Sequence, residues 1–264
     1  MSFVLLLLSV SAAALSAHDL FLKPVTFFVS PGSSVNLLVL NGTFSASENA
    51  VTRDRVRELS LLAPADAPRP ESWVWHSAGD TAVVSMRVGG PGTYVIGVST
   101  LPRALSLTAD EFNEYLAADG VPDILDARRR SGELNRPVRE RYSKHVKALL
   151  QVGAVRSAGL DSVLGYPAEI VPLDNPYTLR PGQTFRFRVL VDGQPIANQY
   201  VLYGGRGPRG NRLAQRSLRT DQAGEGKLVV GVGQWYVKFI HMARIASDSI
   251  DYESKWASLT FEIR

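Results

Sequence analysis

The sequence predicts a mainly β protein, built as two β-sandwich domains with a small helical insertion between them. Three observations carry this. Short runs of β-branched and aromatic residues recur in both halves of the chain, broken by Gly, Pro, Asn and Asp. One intervening stretch, residues 105–150, carries helical spacing instead. Cys is absent, so the fold must hold through its cores, with neither disulfides nor thiolate metal centres.

Residues 1–17 read as a secretory signal peptide. An apolar run from Phe3 to Leu8 passes into a small-residue tract ending Ser16-Ala17-His18, although no Lys or Arg precedes the run. The run is shorter than the roughly 20 apolar residues that span a bilayer. The expected location is periplasmic or extracellular. Cleavage after Ala17 makes His18 the first residue of the mature chain; cleavage after Ala14 leaves it internal.

Residues 18–104 form the first predicted sandwich. Ser34 to Leu40 reads as a strand ending at Asn41-Gly42, a strong turn signal. Trp73 to Trp75, Ala82 to Val88 and Tyr94 to Val98 follow, with Gly89-Gly90-Pro91-Gly92 as the turn between the last two. In 105–150, Thr108 and Glu111 make a capping-box pattern ahead of Phe112, Tyr115 and Leu116. After an Arg-rich stretch, Pro137 to Leu150 is expected to begin helical and finish as a strand.

Residues 151–264 return to strands. Thr184 to Val191 begins in strict alternation and meets Asp192-Gly193, a hairpin turn. Gln199 to Tyr203, Lys227 to Val230, Gln234 to Ala243 and Trp256 to Ile263 complete the pattern. The turn Thr220-Asp-Gln-Ala-Gly224 resembles one found in carboxypeptidase-regulatory-like sandwiches, an Ig-like fold analogy that carries no function by itself.

The charge balance excludes one class of partner. Twenty-nine basic against 25 acidic residues give +4. The basic residues are mostly Arg and are scattered, except between Arg128 and Lys147, where Glu133 and Glu140 dilute them. No basic stripe exists, so a nucleic-acid partner is not expected. Enzyme signatures are also missing: the chain holds no Gly-x-Ser-x-Gly elbow, phosphate loop or His-Glu-x-x-His helix. It is therefore expected to be no enzyme.

Metal binding is the chemistry the residues do suggest. At a mature N-terminus, the His18 α-amine and imidazole Nδ1 can chelate one ion, a donor pair suited to nickel, cobalt or copper. The best second imidazole is His241, followed by Met242, in the strand from Trp235. Asp251 or Glu253 could add an oxygen or orient an imidazole from behind. Each has a plainer reading, His241 as the end of a core-facing row and the acids as a solvated loop. His76 reads as a surface or edge residue. His145 sits among cations that oppose a metal.

The residues also resemble a known family. His18-Asp-Leu-Phe-Leu-Lys-Pro24 after a signal, Glu140-Arg-Tyr-Ser-Lys144, Glu169-Ile-Val-Pro-Leu173, Asn175-Pro-Tyr177, His241-Met242 and Asp251-Tyr-Glu-Ser254 carry the likeness. It is an envelope family with a domain of unknown function, described as the periplasmic component of cobalt or nickel uptake systems. The resemblance runs through the whole mature chain. It implies two β-sandwich-like domains, capture of divalent nickel or cobalt, and a membrane transporter as partner. By position it puts the metal at His18 and His241, with Asp251 and Glu253 nearby. Tyr252 stands where the family has Trp. Two rivals remain: a structural or adhesive envelope module without a metal, and a copper monooxygenase using the same terminal chelate.

Overall fold

Among residues 18–64 and 73–264, which the computed structural model describes, the strands make three sheets. The first half contains β1 (Asp19–Pro24), β2 (Phe28–Val29), β3 (Ser34–Gly42), β4 (Val56–Leu62), β5 (Val74–Ala78), β6 (Thr81–Arg87), β7 (Gly92–Thr100) and β8 (Arg103–Leu107). Helices α1 (Ala109–Ala118) and α2 (Pro122–Arg130) follow, then β9 (Val138–Val152). The second half holds β10 (Ala168–Pro172), β11 (Thr184–Val191), β12 (Gln194–Pro195), β13 (Tyr200–Arg206) and β14 (Arg212–Arg219). It ends with β15 (Glu225–Val229), β16 (Gly233–Arg244) and β17 (Tyr252–Ile263). The predicted signal, 1–17, lies outside the described residues.

The fold is mainly β and of sandwich type, and its two halves share a sheet. Nine strands run β14-β13-β16-β17-β9-β7-β4, with β2 and β8 also on β9. The seam between the halves is the parallel pairing of β17 with β9, Tyr252 opposite Glu140 through Thr260 opposite Ala148. Sheet β1-β3-β6-β5 covers one face of the large sheet, and β10, β11, β12 and β15 cover the other.

Strand alternation assigns the cores. Val146, Ala148, Leu150 and Val152 of β9 join Leu20, Leu22, Leu37 and Val84 of the four-stranded sheet. Leu149 points to the opposite side, among Phe185, Phe187, Val237, Leu259 and Phe261. A third cluster packs Phe112, Tyr115 and Leu116 of α1 onto Ile240, Met242, Tyr252 and Trp256. The helices thus share a side with the four-stranded sheet.

Several local expectations hold. Thr108 caps α1 through the reciprocal box with Glu111. Asp192 (φ +49°) and Gly193 (φ +76°) make the two-residue turn between β11 and β12, both in the left-handed region that a primed turn requires. At the other predicted turn, Asp221 Oδ1 accepts from the N–H groups of Ala223 and Glu225.

Others need correction. Pro137 to Leu150 has no helical part; β9 begins at Val138 because β8 and β17 flank its first half. The helical segment is confined to 109–130. Asn41-Gly42 is no hairpin turn but the end of β3, paired with Asp19 and Leu20 of β1. Gly42 serves a close approach instead: a Cβ there would lie 2.7 Å from the Ala46 carbonyl oxygen. Gly89 to Gly92 does turn the chain, but it carries it from one sheet to another.

Candidate functional site

His18 precedes β1, on the large-sheet face that carries the four-stranded sheet and the helices. Two hydroxyls hold β1 across that face: Ser258 Oγ donates to the Leu20 carbonyl, and Thr260 Oγ1 to that of Leu22. The His18 carbonyl accepts from the Lys144 ammonium, and His18 Nε2 lies 3.3 Å from Glu48 Oε2. The imidazole borders a cleft of about 240 Å³ that also reaches Asn41, Arg103, Glu140, Lys144 and Trp256.

Charged groups crowd around Lys144 next to this cleft. Lys238 of β16 pairs with Asp19 and lies 3.5 Å from Asp119 at the end of α1. Burial draws the Lys238 ammonium down, but the two aspartates outweigh it and lift it above the usual range. Burial pushes Asp119 up to about 6, against the pull of Lys238. Burial also draws Lys144 down to about 8, opposed by Asp19, Asp119 and Glu140. Its ammonium sits 4.9 Å from the Trp256 ring centre and 5.4 Å from that of Tyr142.

Glu140 is the most constrained of these groups. One carboxylate oxygen, Oε1, accepts from the Tyr115 and Ser254 hydroxyls. The other, Oε2, is buried with no hydrogen-bond partner among the described residues. Burial raises this carboxyl above its ordinary value, opposed by the two hydroxyl bonds. Trp256 Nε1 donates to the same Ser254 hydroxyl, fixing the indole beside the carboxylate.

His241 lies on the other face. It pairs in register with Lys255, and alternation turns it away from Ile240 and Met242, which pack against the helices. Its Nδ1 contacts Gln199 Oε1 at 3.1 Å, and burial, aided by Lys255, lowers its pKa. The large sheet therefore separates His18 from His241. Glu253 shares the His241 face but binds Arg141, 2.9 Å away on β9. Asp251 accepts from the Arg139 backbone N–H at 2.8 Å, and so ties the start of β17 to β9. Among the described residues, no three His, Asp or Glu side chains gather into a metal-holding group.

These placements accompany a clear family assignment. Residues 15–243 match the family described as Domain of unknown function (DUF4198). The chain belongs to that family. No curated protein matches it. Among solved structures it is similar to the Yersinia pseudotuberculosis adhesin InvE, at 12% identity and a TM-score of 0.23. That alignment covers 94% of this chain and 59% of the adhesin.

The motifs that carry the family likeness have structural work to do. Glu140 and Lys144 face the cleft, and Ser254 links Glu140 to Trp256. Glu169 binds Lys147 between sheets. Sequence reasoning missed the Glu140 and Lys144 pair as a candidate site. The signal was there: charged residues at alternate positions, 140 and 144, on the same side of a strand as Val146 and Ala148. His145 has a structural role that its cationic neighbours hide in the sequence. It is buried between Ser99 and Ser143, each about 3 Å from a ring nitrogen. His76 is exposed on the edge strand β5.

Proposed function

We propose that this protein works outside the cytoplasm as a binder of divalent nickel or cobalt, which it hands to a membrane uptake system. The observation that carries the reading is the contact of His18 Nε2 with the Glu48 carboxylate. A carboxylate on one ring nitrogen orients an imidazole and strengthens the other nitrogen as a ligand. That other nitrogen, Nδ1, is the one that closes a chelate ring with the α-amine once the chain is cleaved before His18. Two donors from one residue need no cluster of three side chains. Amine and imidazole together suit borderline divalent ions such as nickel and cobalt.

In this reading His241, Asp251 and Glu253 are not ligands. His241 lies across the sheet, and the two acids are engaged with Arg139 and Arg141. Asn41, which borders the same cleft as His18, offers a further oxygen beside the site. The ion is cargo, held without hydrolysis or electron transfer.

The test is native mass spectrometry of the secreted, untagged chain with nickel, cobalt or copper added singly. The expected result is a chain beginning at His18 that takes up one ion and prefers nickel or cobalt. An N-terminal extension before His18 should abolish uptake. Equal uptake by the extended form, or a chain that stays bare, overturns the reading in favour of an envelope module without a metal.

A further inference from the structure

We infer that the cleft beside His18 is a binding site for a small zwitterion, of the size and charge pattern of a free α-amino acid. The inference does not rest on metal binding. Glu140 borders the cleft and is 1% exposed, and its Oε2 is buried with no hydrogen-bond partner among the described residues. A buried polar atom without a partner is destabilising, and more so when charged. A ligand that donates to it recovers that cost. An ammonium group is the strongest such donor, since both partners are then ionised.

The same cleft carries the opposite charge. Arg103, at the start of β8, makes no ion pair among the described residues and lines the cleft with its neighbour Leu105. Lys144 places a second positive charge in the wall, anchored by the His18 carbonyl and the faces of Tyr142 and Trp256. A cation pair with one available guanidinium fork suits a carboxylate, which Arg grips through two parallel bonds. Donors for an anion and an acceptor for a cation thus share one small space.

Size narrows the class. The cleft holds about 240 Å³, below the ~300 Å³ at which sites for drug-sized ligands begin. Leu105 and Trp256 give it apolar wall for a short side chain, and Asn41 adds an amide at the rim. A monosaccharide would meet two cations without offering them a charge.

Isothermal titration of the chelator-treated, untagged chain with a panel of free amino acids tests the inference without any metal. The expected result is saturable one-to-one binding of at least one small amino acid, weakened tenfold or more in its N-acetyl and amide forms. Arg103→Ala, on an exposed strand, should weaken binding tenfold or more with an unchanged melting temperature. Glu140→Gln keeps the shape and should weaken the parent amino acid more than its N-acetyl form. No binding across the panel, equal binding of blocked forms, or an Arg103→Ala variant of undiminished affinity would each overturn it.

Discussion

Lys147 Nζ and Glu169 Oε2 lie 2.7 Å apart, with side chains 1% and 2% exposed. Lys147 belongs to β9 of the large sheet and Glu169 to β10 of the sheet that covers it, so the pair bridges two layers of the molecule. The two ends are not equivalent. Glu169 also accepts from the backbone N–H groups of Leu164 and Tyr166, whereas among the described residues Lys147 has Glu169 as its one ion partner.

That asymmetry makes a prediction for urea denaturation. Glu169→Ala orphans a buried ammonium and two amides, and should cost about 3–5 kcal/mol. Lys147→Met leaves a carboxylate still held by two N–H donors, and should cost less by about 1 kcal/mol or more. Equal losses would mean that the ion pair, and not the amide contacts, sets the energetics.

His145 should give the protein an acid limb of stability. Burial, aided by Lys255 and Arg57 and opposed by Glu169 and Asp192, draws its pKa from 6.5 down to about 4. The unfolded chain therefore binds this proton more readily than the folded one. Its stabilising contribution is complete above pH 6.5 and is lost as pH falls toward 4. At about 1.4 kcal/mol per unit, roughly 2 kcal/mol should go between pH 7.5 and 5. His145→Gln should flatten that part of the pH–stability curve, read from urea midpoints. An unchanged slope would assign the acid limb to other groups.

Much of this fold is legible in the sequence, and what is not shares a physical cause. Residues 184–191 and the Asp192-Gly193 turn were readable because one face is buried and the turn chemistry is local. Thr108 and Glu111 were readable for the same reason. The first half of β9 was not, because Arg139, Glu140, Arg141 and Lys144 hide a strand whose partners lie far along the chain. β14 leaves little trace in the sequence because its residues are mostly exposed at a sheet edge. The pairing of His18 with Glu48 and the separation of His18 from His241 depend on the register of β1, β16 and β17, which spacing does not encode.

The two histidines should respond differently to substitution. His18→Ala should lower nickel or cobalt affinity at least tenfold, while His241→Ala should leave it unchanged, because the sheet lies between them. Competition with a metallochromic dye reads both. An effect of His241→Ala equal to that of His18→Ala would require a site that this sheet geometry does not allow.

A smaller prediction concerns the helical insertion. Thr108→Ala removes both hydroxyl contacts of the capping box and should cost about 1 kcal/mol. The loss should be visible as earlier amide exchange in α1, with the strand amides unaffected. Uniform acceleration across the molecule would instead place α1 inside the global unfolding unit.

The parallel seam of β17 with β9 bears on how the chain comes to be folded. β17 follows the other strands in the chain, yet it lies inside the large sheet, hydrogen-bonded to β16 on one side and β9 on the other. Until residues up to Ile263 have emerged, β16 and β9 face a gap one strand wide. Contacts this distant in sequence form late and slowly. A chain on which β17 has not yet been made therefore leaves β16 and β9 unjoined, and closure of the large sheet waits for that strand.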